Sequence, residues 1–476
     1  MAGSNSLYEI LGLSMAVNRQ NNAFSGSVNN NNNHKNLELA TNTTPENEVD
    51  NSSNILTSVS SLFNNPRFSD ITLVVGSERF HAHKLLLATA SDVFETMLTS
   101  DRWQDGNAGE ITFHESEECL PVFSIVMRYI YTGKISLTME NVIPVLVLAD
   151  KYNLLPLKES CAEYMASHLA ESCSACTIVS WYQYAKTCDL KEFEKICCKF
   201  IVLNIGIVIL SEDWVRLDKS NLMDFLRRSD MVIESEFALF NAVVSWMISA
   251  EHVEDIEENL EDIVPLIRFP WMKPQELSDL EHLDFVNKYY KYFAPHILSA
   301  YRYHAVIEEY RTKEKFRFPN SQLVCRNYTN ADIKMNFNKK VSGFSNARGI
   351  NYKSTFDAIL CNSYADRENF FNCVINYYPK GLPFSIPVDS SAKLSLQLLQ
   401  ADRSPAQVSC EVSVIIYARH KDIRYVSQCI EIEHTFGGMQ ELAIDLLDLA
   451  LLNKDSPYLF DDVFEIHLFV KRLGSS

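Results

Sequence analysis

Cys173-Ser174-Ala175-Cys176 is a C-x-x-C, a spacing that serves either half of a zinc site or a redox pair. A zinc site needs a second pair, and Cys188 with the adjacent Cys197-Cys198 does not supply one at the usual spacing. A redox pair wants a βαβ context, and the surrounding pattern is helical, so these thiols are expected in a core. His81 and His83, two apart, would share one face of a strand, but no acid or thiol near them has ligand spacing, and no metal is expected. Nor does the chain contain a Gly-x-x-x-x-Gly-Lys-Ser/Thr phosphate loop, a Gly-x-Ser-x-Gly elbow or a His-Glu-x-x-His. The residues therefore predict a protein that is not an enzyme, with no catalytic residue and no cofactor.

The bulk properties point the same way. A chain of 476 residues has room for roughly three domains, and 47% hydrophobic residues can build real cores. A net charge of −18 and a pI near 5.2 argue against nucleic acid or an anionic membrane as partner. No stretch reaches the ~18 apolar residues of a membrane span. The nearest, Ile196 to Leu210, holds Lys199 and Asn204 and reads as a buried helix. Twelve scattered cysteines and no signal-peptide pattern predict a reducing compartment. The expected location is cytoplasmic, with the nucleus as the alternative, and the Asn-x-Ser/Thr matches at Asn42, Asn51 and Asn327 are then fortuitous.

Residues 1–53 are rich in Asn and Ser and are expected to be a disordered tail. Asn54 reads as the cap of a helix carrying Ile55, Leu56, Val59, Leu62 and Phe63 on one face. Phe68 to Gly76 reads as a strand with a glycine turn, followed by a short strand Glu78 to Ala82 and helical spacing from His83 to Ser91. Ser91 is placed to cap the helix Asp92 to Leu98. A strand Glu110 to Phe113 and a helix Pro121 to Thr132, stopped by Gly133, follow. This order, with Phe-Ser-Asp, His-Lys-x-x-Leu-x-x-x-Ser-x-x-Phe and Tyr-Ile-Tyr-Thr-Gly, resembles a BTB/POZ domain over 54–168.

From 169 to 295 the pattern is helical, with helices expected around Ala175–Ala185, Lys191–Asn204, Lys219–Arg227 and Ser235–Ser249. Asn204, Trp214, Ser229-Asp230, Ser235-Glu236, Trp246 and Ile267-Arg268-Phe269-Pro270-Trp271-Met272 make this segment resemble a BACK domain. A linker helix is expected at 296–318. From 319 to 476 short strands alternate with turns: Ile333–Phe337, Phe370–Tyr377, Lys393–Leu399, Val408–Tyr417, Cys429–Glu433 and Val463–Val470. Asn372 to Gly381, with its Tyr-Pro-Lys-Gly turn, and Asp461 to Val470 resemble a TRAF-like (MATH) sandwich. The fold class expected is multidomain α+β: an α/β BTB domain, an α-helical BACK domain and a carboxy-terminal antiparallel β-sandwich.

This domain order resembles that of adaptors for cullin-3 ubiquitin ligases. The resemblance implies a homodimer formed through the BTB domain, with Ile55, Leu56, Val59, Leu62, Asp70 and Lys84 at its interface. It implies cullin-3 as a partner, contacted by Met97, Trp103 and Asp105, with Trp103 in the apolar position and Asp105 standing in for a glutamate. It also implies an unknown protein client, held by Ser427, Glu431, Phe436 and Gly437 along the sandwich. The alternatives are a scaffold or co-repressor that serves no ligase, and a secreted relative.

Overall fold

The computed structural model describes residues 50–99, 109–174, 177–306, 320–330, 336–344, 352–358, 371–381, 390–399, 408–437, 441–453 and 456–473. Described residues up to Met165 form one compact unit, and those from Ala166 onward form a second.

The first unit opens with helix α1 (Ser52–Ser60). It starts before Asn54, because Asp50 Oδ1 accepts from the Ser52 amide, and it ends before Leu62 and Phe63. Strands β1 (Ile71–Val75) and β2 (Glu78–Ala82) form an antiparallel hairpin, and β3 (Glu110–Phe113) joins β1 in parallel. The expected strand from Phe68 begins three residues late, because Phe68 has φ +64°, outside the extended region. Helices α2 (Lys84–Ala90), α3 (Asp92–Thr99), α4 (Leu120–Thr132), α5 (Val142–Lys151) and α6 (Leu155–Ser167) complete the order. Ser91 Oγ accepts from the Phe94 amide and donates to Tyr152 O, so it caps α3 and ties it to the end of α5. Gly133 closes α4 at φ +61°, the left-handed conformation that glycine adopts without steric cost. Phe94 stacks on Tyr152 at 4.6 Å, with Phe113 and Phe123 edge-on around them.

The second unit begins with a helical domain: α7 (Leu169–Ser174), α8 (Ile178–Thr187), α9 (Lys191–Leu203), α10 (Ile205–Val208) and α11 (Lys219–Arg227). After strand β4 (Val232–Ile233) come α12 (Glu236–Met247), α13 (Ile256–Ile263), α14 (Pro274–Glu281), α15 (Asp284–Lys288) and α16 (Tyr290–Ala305). On α9, Phe193, Ile196, Cys197, Phe200 and Ile201 are buried at the three-and-four spacing of one helix face. Trp214 Nε1 donates to Ala242 O at 2.9 Å and Trp246 Nε1 to Leu217 O at 2.7 Å, which locks α12 to the segment before α11.

Helix α17 (Asn320–Leu323) and strand β5 (Asn327–Tyr328) return to this helical domain, with β5 pairing in parallel with β4. Between them, Arg326 is fully buried beside a fully buried Glu236. Arg326 Nε meets Glu236 Oε2 at 3.1 Å, Tyr328 donates to the same oxygen at 2.6 Å, and the Arg268 amide donates to Oε1 at 2.7 Å. Arg326 also donates to the carbonyls of Leu226, Arg228 and Leu266. Burial alone would raise the Glu236 carboxyl, but Arg326, Tyr328 and Arg268 outweigh it and hold the group below the usual carboxylate range. The stability this carboxylate contributes is therefore present above the ordinary carboxylate range and lost as pH falls through its lowered value.

The sandwich has two four-stranded sheets. One runs β11 (Ile423–Phe436), β10 (Val408–His420), β13 (Val463–Arg472), β6 (Asn336–Ser342). The other runs β12 (Leu442–Asp448), β9 (Ser391–Leu399), β8 (Phe371–Tyr378), β7 (Tyr352–Ala358). All its strand pairs are antiparallel. Tyr377 stacks on Phe464 between the sheets. Of the strand expected at Ile333–Phe337, residues 333–335 lie outside the described residues; a strand runs Asn336–Ser342, and β11 extends well beyond Cys429–Glu433.

Replacing Arg326 by methionine should destabilise the second unit by roughly 3–5 kcal/mol, since Glu236 is then left buried without its main counter-charge. Urea unfolding monitored by tryptophan fluorescence reads this directly. The pair Glu236→Leu with Arg326→Met should recover part of the loss; a double variant that loses the sum of the two single losses would show that the two charges are not coupled.

Candidate interaction surfaces

On the first unit, no residue of α1 is buried; Ile55 is 67% and Leu56 46% exposed, while Val59 and Leu62 are half-buried. Three further large apolar side chains, which the sequence reading missed, stand exposed on the same unit: Phe68 at 74%, Leu85 at 76% and Leu155 at 55%. Surfaces tolerate single exposed apolar residues, and an interface needs several grouped on one face. Asp70 meets Lys84 through the backbone: its Oδ1 accepts from the Lys84 amide at 2.8 Å, so the carboxylate sits at the start of α2. His83 is buried and bridges Tyr131 OH and the Arg67 carbonyl, each at 3.0 Å, whereas His81 is exposed; the two do not share a face. Met97 is half-buried on α3. Trp103, Asp105 and Cys176 lie outside the described residues.

In the second unit the helical domain and the sandwich share a core. Leu203 and Val232 from the helical side pack with Ile415, Tyr417, Val426 and Phe469 of the sheet. Such burial contributes roughly 1.5–3 kcal/mol per large apolar side chain. Asn204, at the end of α9, completes the junction. Its Nδ2 donates to Val426 O at 3.0 Å, and its Oδ1 accepts from the Val426 amide at 2.6 Å. The same Nδ2 reaches Phe200 O at 3.0 Å, satisfying an end carbonyl of α9. The side chain thus does at the sheet edge what a neighbouring strand would do. At the far end of the hairpin, Glu171 of α7 lies 2.8 Å from His420 Nε2 and 3.7 Å from Lys421 Nζ.

This junction corrects the expected client strand. Ser427 is 1% exposed, and its hydroxyl meets Tyr458 OH at 3.2 Å. Phe436 is 2% exposed. Neither offers its side chain to a client: Tyr425 and Val426 of β11 are buried against the helical domain, Ser427 is buried against Tyr458 of the sandwich itself, and Phe436 is packed within the chain. Gly437 is half-buried and Glu431 keeps an exposed side. Partial burial raises the Glu431 carboxyl; Lys471 opposes this, while Glu411 and Asp230 add to it.

His467 is buried in β13, 2% exposed and stacked on Phe469 at 4.7 Å, with no hydrogen-bond partner at either ring nitrogen among the described residues. Burial, then the nearby Arg424, lowers its pKa to about 4. Among the described residues no group of three or more His, Cys, Asp or Glu could hold a metal, and no helix is long and apolar enough to cross a membrane.

Three family models match in order: BTB/POZ domain at 59–169, BTB And C-terminal Kelch (BACK) at 178–282, and the BTBD17 TRAF domain at 323–474. This is a BTB–BACK–TRAF chain. It is similar to BTB/POZ domain-containing protein 17 of Xenopus laevis, at 27% identity over 87% of this chain and 89% of that protein. The human protein of that name is 26% identical over 89% of each. Human Kelch-like protein 11 is 30% identical over 44% of this chain and 30% of its own length. The three models divide the chain much as the elements do, except that the TRAF match begins at 323, whereas Arg326 and β5 are built into the BACK domain.

Two predictions follow from the BACK–TRAF junction. Asn204→Leu leaves the Val426 amide and carbonyl unpaired in a buried place and should cost roughly 1–3 kcal/mol. Hydrogen exchange would show it as lost protection at Val426; an amide as protected as before would mean that something else closes this edge. Separately, His467 is neutral when folded, so acidification favours the unfolded chain, which takes up the proton. Its contribution is complete above about pH 6.5 and falls away toward pH 4, by about 3 kcal/mol over that window. His467→Leu should flatten the melting temperature over that window relative to the parent, and parallel curves would rule out this histidine as the source.

Proposed function

We propose that the protein is a dimeric adaptor, the substrate-recognition subunit of a cullin-3-type ubiquitin ligase, working in the cytoplasm. The reading rests on the BTB–BACK–TRAF order, and the observation that carries it is the exposed apolar set on the BTB unit. Ile55, Leu56, Phe68 and Leu85 are the side chains that a second copy would cover. The likeness to a Kelch-like protein over 44% of this chain supports the ligase half of the proposal. In this reading the chain does no chemistry. It holds a client near an enzyme, and proximity supplies the rate advantage. A dimer would present two capture sites, raising apparent affinity for a client able to span both.

Light scattering of the full chain with and without the amino-terminal domain of cullin-3 tests both halves. The expected species are a dimer alone and a two-to-two complex with cullin-3. Ile55→Asp with Leu56→Asp should yield monomers. Trp103→Ala with Asp105→Ala should lose cullin-3 while remaining dimeric. A dimer that ignores cullin-3 would replace the ligase reading with a scaffold, and a parent chain that is monomeric would remove the dimer from either.

A further inference from the structure

The BACK domain covers the outer face of the β11-β10-β13-β6 sheet only in part. Beyond Tyr417 a cavity of about 250 Å³ opens where β10, β11, β13 and β6 meet the segment 457–463. Its chemistry is set by Lys340, Tyr417, Arg419, Arg424, Phe460 and Glu465, with Asp461 exposed beside them.

Arg419 and Arg424 are directly opposed in the β10–β11 register. Like charges so placed repel. The fold neutralises one of them. Arg424 lies over the Tyr417 ring at 3.6 Å and holds Glu465 through two hydrogen bonds, at 2.7 and 3.1 Å. Lys340 stands 3.8 Å from that same carboxylate, at the outer limit of an ion pair. Arg419 is placed differently. Its amide donates to Pro457 O at 2.8 Å and its guanidinium lies over Phe460 at 4.4 Å, yet no carboxylate among the described residues pairs with it. Phe460 is itself 42% exposed. The pocket therefore holds an ordered, half-buried guanidinium on an open aromatic ring, beside a weakly engaged lysine. Three cations against two carboxylates leave one positive charge, in a chain that carries −18 overall.

We propose that this pocket is a second client subsite, one that receives the carboxylate of an Asp or Glu side chain from an extended peptide segment. The carboxylate would pair with Arg419 in the forked geometry that guanidinium favours, and the neighbouring part of the peptide would rest on Phe460. One negative charge balances the pocket, whereas a doubly charged phosphate would overshoot it. The subsite deepens the client-capture part of the adaptor reading and is independent of cullin binding.

The test uses the full chain and fluorescein-labelled Gly-Tyr-Glu-Glu-Gly, its Gln-Gln counterpart and its phosphoserine counterpart, read by fluorescence anisotropy at low and high salt. The Glu peptide should bind at least tenfold more tightly than the Gln peptide, and salt should weaken it. Arg419→Gln should remove that preference, and Lys340→Gln should reduce it. Phe460→Leu should weaken the Glu peptide without restoring the Gln one, and Glu433→Gln, exposed on β11 outside the pocket, should change nothing. Unchanged melting temperatures keep the comparison fair. Equal binding of Glu and Gln peptides, an Arg419→Gln chain that still discriminates, or binding of the phosphoserine peptide alone would each overturn the proposal. Cullin-3 recovery, measured on the same variants, separates its failure from that of the ligase reading, because Arg419→Gln should leave it intact.

Discussion

Much of the second unit turns on one amide. The side chain of Asn204 pairs with both backbone groups of Val426 at the edge of a sheet, and in doing so turns an open strand edge into a domain junction. An unpaired edge is a site for adventitious strand addition, and proteins close such edges by covering or charging them. Here the closure is local. Asn204 occupies a single register position, and the apolar contacts around Leu203 and Val232 hold it there. The consequence is mechanical as well as energetic: the sandwich cannot swing on the BACK domain without breaking two buried hydrogen bonds and opening an apolar core.

The Glu236–Arg326 network anchors the same junction from the other side. A buried ion pair is poor evidence of net stability, because desolvation consumes most of the attraction. Its effect here is positional. Arg326 satisfies three carbonyls at the end of α11 and near Leu266, and this fixes where the chain leaves the BACK domain to begin the sandwich. Asn204 then fixes where the sheet comes to rest. The exit point and the resting point are thus both set by buried side chains.

The sequence showed the order of domains because local signals carried it. Ser91 before Asp92, Gly133 after α4, the Trp214 and Trp246 pair and the Tyr-Pro-Lys-Gly turn each act within a few residues or a single helix packing. What it hid was long-range. Nothing near Asn204 announces a partner 222 residues away, and Arg326 reads as one more charge at the start of the sandwich. β10 did carry a clue. Val414-Ile415-Ile416-Tyr417-Ala418 is apolar without alternation, which is the mark of a strand buried on both faces. Read that way, it says that something covers the outer face of the sandwich. Ser427 shows the same limit: the family's groove position was carried over to a residue that packs here against Tyr458, 31 residues on in the chain. Strands β7 and β12 escaped notice because their alternation is broken by polar residues and, in β12, by an irregular register between Asp445 and Leu447.

A rigid junction also bears on what the sandwich can recognise. Flexible modules bind a client and then bear the entropy of orienting it; a fixed one bears that cost when it folds. The cross-strand pair Arg419 and Arg424 fits this logic. A lone like-charge pair opposite one another weakens a hairpin, and a fold under no other demand would replace one arginine. Among the described residues, Arg424 has its own carboxylate and aromatic ring, while the Arg419 guanidinium has the ring and no carboxylate. The repulsion that remains is relieved when an anion arrives, so interaction energy left unspent in the free protein becomes affinity in the complex. Since Tyr417 belongs both to the core shared with the BACK domain and to the wall of this pocket, the surface that would hold a client and the contact that sets its orientation are built on one side chain.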